Sequence, residues 1–151
     1  MKHKIIFGLL ISILVVSAIT LVMIRNGSNQ IELQRHSSLE NITFEEGVVN
    51  IYYFWGDSCQ HCALQFEFLT ELSEEIGERF NLYSFEVWFD EENVALAHEL
   101  AEIMDVEFRG VPFTIIGNQT IAGFHSDEIL DAIDSANYDE FDVMQIFEEE
   151  R

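Results

Sequence analysis

Eight residues, Val48-Val49-Asn50-Ile51-Tyr52-Tyr53-Phe54-Trp55, form an almost unbroken apolar run, and four positions on the chain places its only two cysteines, as Cys59-Gln60-His61-Cys62. The run has the length and the β-branched and aromatic content of a strand buried on both faces. Beyond the cysteines the spacing turns helical: Cys62, Phe66, Leu69, Leu72 and Ile76 recur every three or four residues, and Gly77 ends the pattern. A Cys-x-x-Cys at a strand-to-helix junction is the sequence form of a thiol–disulfide redox centre. Both sulfurs fall within one helical turn, close enough to bond with little backbone movement. The free N–H groups and dipole of the helix start favour a thiolate at the first sulfur, with Asp57 or Ser58 as the cap. Cys62 lies on the apolar stripe and Cys59 does not. The spacing therefore predicts an exposed attacking sulfur and a shielded resolving one.

The rest of the chain alternates in the same way. Phe80 to Phe89 reads as a second strand, and Glu92 to Met104 as a helix with Val94, Ala97, Leu100, Ala101 and Met104 on one face. Phe113 to Ile116 and Thr120 to Phe124 are two short strands around a Gly117-Asn118 hairpin signal. Ser126 to Ala136 is a last helix, capped by Ser126 or Asp127, with Ile129, Leu130 and Ile133 inward. Ile42-Thr43-Phe44 is a candidate edge strand ahead of a Glu45-Glu46-Gly47 turn. The order is β-α-β-α-β-β-α, an α/β pattern with a central sheet flanked by helices. Beyond Asn137 the chain is acidic, but Phe141, Met144 and Phe147 share a helical face. That tail reads as a short docked or fraying helix, with a partner-binding tail as the alternative.

The first 25 residues stand apart. Ile5 to Ile24 carries no charge and matches the roughly 20 helical residues needed to cross a bilayer. Lys2, His3 and Lys4 precede it, which sets the N-terminus in the cytoplasm and the remainder outside. A signal peptide cleaved after Val16-Ser17-Ala18 competes with an uncleaved anchor; the run's extension to Ile24 favours the anchor. Residues 26–41 are polar and read as a linker, residues 42–136 as the folded domain, and residues 137–151 as the acidic tail. The whole chain has 7 Lys and Arg against 28 acids. Setting aside the two N-terminal lysines leaves five arginines against all those acids, which argues against nucleic acid as a partner and against anionic lipid surfaces. An oxidising compartment ordinarily calls for structural disulfides. Here both cysteines lie in one tight motif, so they read as catalytic.

The redox pair after the first long strand, together with the only proline in Gly110-Val111-Pro112-Phe113, resembles the thioredoxin superfamily over about Ile42 to Ala136. The resemblance implies a thioredoxin-like fold and a cis Val111–Pro112 bond facing the disulfide. It also implies a substrate segment pairing with the Val111 backbone beside Cys59. Trp55 matches the family's aromatic four residues before the first cysteine, and Val-Pro-Phe-Thr-Ile-Ile-Gly-Asn looks like the glutaredoxin branch. The chain departs from the pattern in three places. Tyr53 stands where thioredoxins carry a buried acid that relays protons to the second cysteine, with Glu86 as an alternative carrier; Ser58 stands where they carry Trp; and Ala122-Gly123 is half of the glutaredoxin glutathione turn.

These readings give a membrane-anchored extracytoplasmic thiol–disulfide oxidoreductase acting on protein cysteines, expected as a monomer and without a cofactor. Cys59 exchanges with the client, Cys62 resolves, and Val111, Pro112 and Trp55 hold the substrate. His61 tunes the potential by stabilising the thiolate, which favours oxidase or isomerase work over reduction; its plain alternative is an uninvolved helical side chain. His36, His98 and His125 read as surface residues. A reductase role would need a membrane redox partner. Two other classes remain: a Cu(I)-handling protein using the same thiols, and a non-catalytic accessory subunit of a secretion or transport machine. Met104 and Met144, the only methionines beyond residue 24, keep no copper-motif spacing. No metal site is expected, because zinc ligands are usually set in better separated pairs.

Overall fold

The computed structural model describes residues 39–136 and 141–150. The apolar run becomes strand β1, Val49–Trp55, and the helical pattern after the cysteines becomes α1, Gln60–Ile76. Then come β2 at Phe80–Glu86, α2 at Glu91–Ile103, the hairpin strands β3 at Phe113–Ile116 and β4 at Gln119–Ala122, and α3 at Ser126–Ser135. A final helix, α4, spans Val143–Glu150. The sheet order is β2-β1-β3-β4, with β1 parallel to β2, antiparallel to β3, and β3 antiparallel to β4. This mixed four-stranded sheet flanked by helices is the thioredoxin-like α/β arrangement. No helix among the described residues is long and apolar enough to cross a membrane, and the Ile5–Ile24 run lies outside them.

Alternation along β1 explains the two layers of the core. Ile51 and Tyr53 face one side, where they pack with Cys62, Leu69 and Leu72 of α1 and Ile129 and Ile133 of α3. Tyr52 and Phe54 face the other, against Leu96, Ala97 and Leu100 of α2 and Val143, Met144 and Phe147 of α4. With both faces covered, an uninterrupted apolar strand is what the sheet needs. The tail from Phe141 is thus a docked helix, carrying three buried side chains into the second layer.

Several elements differ from the sequence reading. Strand β2 stops at Glu86, three residues short of Phe89, because the Glu86 carboxylate turns the chain and Asp90 caps α2 by accepting from Glu92 and Asn93 N–H. Ile42-Thr43-Phe44 is no strand; Thr43 N–H donates to the Tyr83 hydroxyl instead of to a ladder. Helix α3 starts after His125 without a side-chain cap from Ser126 or Asp127. Its inward face is Ile129, Ala132 and Ile133, while Leu130 is exposed, one position off the stripe. Leu96 in α2 is buried although the pattern passed over it.

Candidate functional site

The loop between β1 and α1 brings the two sulfurs together. Gly56 follows the last strand residue, Ser58 turns the chain in the left-handed region at φ 62°, and Cys59 itself is the N-cap of α1. A non-glycine residue at positive φ is uncommon and costs stability, a feature frequent where geometry serves a site. The cap is therefore neither Asp57 nor Ser58: Cys59 Sγ accepts from Cys62 N–H at 3.1 Å. Cys59 and Cys62 form a disulfide with Cα atoms 5.2 Å apart. Cys59 is half-buried and Cys62 is buried, so one sulfur of the bond is open to approach.

Cys59 and Cys62 belong to the lining of a cleft of about 270 Å³ whose walls include Tyr53, Trp55 and Phe66. Trp55 is half-buried and its carbonyl accepts from Val87 N–H, so its place beside the motif is set by the β1–β2 pairing. The Val111–Pro112 bond is cis, Pro112 is buried and Val111 is half-buried, packed where the two core layers meet. Neither Val111 nor Pro112 lines the cleft itself. His61 is exposed on the first turn of α1. His98 is exposed with its ring edge-on to Phe108, and exposed His125 sits 3.9 Å from Glu128; His36 lies outside the described residues.

Two buried groups near the motif show how the local electrostatics are arranged. The Tyr53 hydroxyl donates to the Cys62 carbonyl at 2.7 Å, and burial pushes the phenol well above its ordinary range. It is a fixed neutral donor at the position where the resembling family carries an acid. Glu86 is buried, which by itself would raise its carboxyl. Backbone N–H groups of Phe89, Trp88 and Asp57, at 2.8, 2.9 and 3.2 Å, outweigh that and hold it below the ordinary glutamate value. With its oxygens engaged by three backbone N–H groups, Glu86 is a clasp between two loops.

The sequence reading missed this clasp and also missed Gln65. Gln65 is fully buried on α1 one turn after Cys62, and its amide donates to Thr114 Oγ1 at 2.6 Å. A polar residue on an apolar stripe was the available signal. Among the described residues no group of three or more His, Cys, Asp or Glu is placed to hold a metal ion. Met144 is buried and Met104 half-buried in the layer on the opposite face of the sheet from Cys62.

No family model and no curated protein matches the sequence. Solved structures do. An uncharacterised thioredoxin-like protein from Clostridium perfringens is 26% identical, with a TM-score of 0.49, covering 64% of this chain and 77% of that one. Thioredoxin f2 from Chlamydomonas reinhardtii is 19% identical with a TM-score of 0.48, covering 60% and 80%. A structural-genomics protein from Agrobacterium tumefaciens is 18% identical with a TM-score of 0.50, covering 60% of this chain and 46% of that one. Likeness at this level concerns the fold and carries no activity across. The chemistry has to be argued from the Cys59–Cys62 pair itself.

Proposed function

We propose that this protein is a thiol–disulfide oxidoreductase working on the cysteines of other proteins outside the cytoplasm, held at the membrane by its N-terminal run. One observation carries the redox part of the reading: Cys59, bonded to Cys62, caps a helix at the end of a central strand, with Cys59 half-buried at a cleft and Cys62 buried. A client thiolate attacks Cys59 Sγ, and Cys62 leaves as a thiolate whose negative charge the helix start favours. A second client thiol then attacks the client sulfur of the mixed disulfide and releases Cys59. The client loses two electrons and the pair gains them; a membrane redox partner restores the disulfide. Run in reverse, the same steps reduce a client.

His61 acts on the balance between these directions. Its imidazole lies on the first turn of the helix that Cys59 caps, and stabilising the thiolate from there makes the disulfide the stronger oxidant. Val111 and Pro112 border the path of the client strand, and Trp55 walls the cleft behind the disulfide. A reduction potential of roughly −120 to −200 mV is expected for oxidase or isomerase work, against roughly −270 mV for a reductase. Trapping tests the reading directly. Cys62→Ser should accumulate mixed disulfides with extracytoplasmic proteins and Cys59→Ser should not. A Cys59→Ser strain with an intact phenotype would instead favour the accessory-subunit reading.

A further inference from the structure

Where β2 ends, the chain exposes two aromatic side chains in succession beside the redox pair. Trp88 is 51% and Phe89 81% exposed, more than any other large apolar residue described. The Trp88 indole lies so close over Gly56 that a Cβ there would run into the ring. The Gly56 carbonyl in turn accepts from Cys59 N–H at 3.2 Å. The indole therefore flanks the turn that presents the open sulfur.

Neither aromatic is carried on a loose loop. The Glu86 carboxylate binds both of their backbone N–H groups and reaches across to that of Asp57. Burying an ionised carboxylate is costly unless its oxygens are satisfied. The satisfied carboxylate holds the backbone of two residues whose apolar side chains face water, an arrangement that serves contact with something else better than it serves folding. The rim around them is acidic: Asp57, Asp90, Glu91 and Glu92 are all exposed. Among the described residues the only Lys or Arg are Arg79 and Arg109, and both face carboxylates, of Asp134 and Glu107.

We infer that the Trp88–Phe89 ledge with its acidic rim is the docking surface for the client, and that it selects cysteines flanked by an apolar side chain and by Arg or Lys. The inference rests on the redox reading above and names its substrate class. An apolar client side chain removes ring surface from water, and a guanidinium is drawn both to an indole face and to the carboxylates around it. Because the ledge adjoins the Gly56–Cys59 turn, a segment seated on it brings its cysteine to the open sulfur.

The full-length chain carrying Cys62→Ser, kept in mild detergent, tests this with three short peptides. Each has one cysteine blocked as a thionitrobenzoate disulfide beside one leucine, with two flanking Arg, Gln or Glu. The Cys59 thiolate attacks the peptide sulfur; the sulfur–sulfur bond breaks and its electron pair leaves with coloured thionitrobenzoate. The blocked disulfide of mercaptoethanol gives the reference rate. The Arg peptide should react about tenfold or more faster than the Glu peptide at low salt, the gap shrinking in concentrated salt. Phe89→Ser, at a position too exposed to threaten folding, and Trp88→Ser should each lower the ratio of Arg-peptide to reference rate by about three- to tenfold. Equal peptide rates, or ratios unmoved by both substitutions, with normal release from the reference, would overturn this inference alone. No release even from the reference would remove the redox reading and this inference with it.

Discussion

At the Val49 end of β1, side chains tie distant segments of the chain to one another; at the Trp55 end, side chains hold loops by their backbones. Asp142 shows the first mode. Its carboxylate accepts from the Tyr52 hydroxyl at 2.7 Å, from Asn50 Nδ2 at 3.0 Å and from Met144 N–H at 2.8 Å. Asn50 Nδ2 also donates to the Thr43 carbonyl, so residues 43 and 142 are fastened to the same strand. Glu86 shows the second mode, with three backbone donors from the loops on either side of the redox pair. One carboxylate closes the fold, and the other sets the edge of a reactive site. The comparison teaches that two buried carboxylates on one sheet can do different structural work, one joining distant segments and the other shaping the loops beside the redox pair.

The largest effect is expected at the closing end. Asp142→Ala leaves the buried Tyr52 hydroxyl without its acceptor and strips a partner from Asn50. Burial first, and the Asp142 carboxylate second, raise the Tyr52 phenol, so it stays a neutral donor that must be satisfied. A loss of about 2–4 kcal/mol is expected in urea unfolding, with the Cys59–Cys62 potential unchanged. A potential that moved with the stability would break the separation of the two ends.

Glu86→Gln should cost less, about 1–2 kcal/mol near neutral pH, because the amide keeps one acceptor oxygen but turns a donor toward the Phe89 N–H. The pH dependence follows from the depressed carboxyl. A folded-state value below the unfolded one contributes stability fully present above the unfolded value, about 4.3 for glutamate, and lost as pH falls through the folded value. The gap between parent and Glu86→Gln should therefore close as unfolding is measured at successively lower pH from about 5 downward. A gap that holds constant across that range would mean that the carboxylate's charge contributes nothing.

The smallest effect belongs to Tyr53→Phe, which removes one hydrogen bond to the Cys62 carbonyl and should cost about 1 kcal/mol. With the phenol pushed well above its ordinary range, the pH profile of thiol exchange should not change. A profile displaced by the substitution would make Tyr53 a proton carrier after all.

Much of this was legible in the sequence because it rests on periodicity. The apolar run gave β1, the three-and-four spacing after Cys62 gave α1, and the lone Val-Pro before a glycine hairpin placed Pro112 ahead of β3. What was not legible depends on partners far along the chain. No local pattern says that Glu86 ends its strand by binding Asp57 N–H, 29 residues away, or that Asp142 meets Tyr52 across 90. Capping was misread for a different reason. Asp57 and Ser58 are better caps by composition, but the left-handed turn at Ser58 starts the helix after Cys59 and hands that role to its sulfur. Buried Gln65 escaped because a polar residue on a helix is ordinarily read as facing water.

The central claim is that the helix-capping sulfur, Cys59, is the one that exchanges with the client and is the nucleophile when the pair is reduced. Differential alkylation of the reduced full-length chain, with labelled sites assigned by peptide mass across a pH series, tests it most directly. Cys59 should be labelled well before Cys62 below pH 7, since its sulfur is half open at the helix start while Cys62 is buried. Preferential labelling of Cys62, or equal labelling of the two at every pH, would contradict the account.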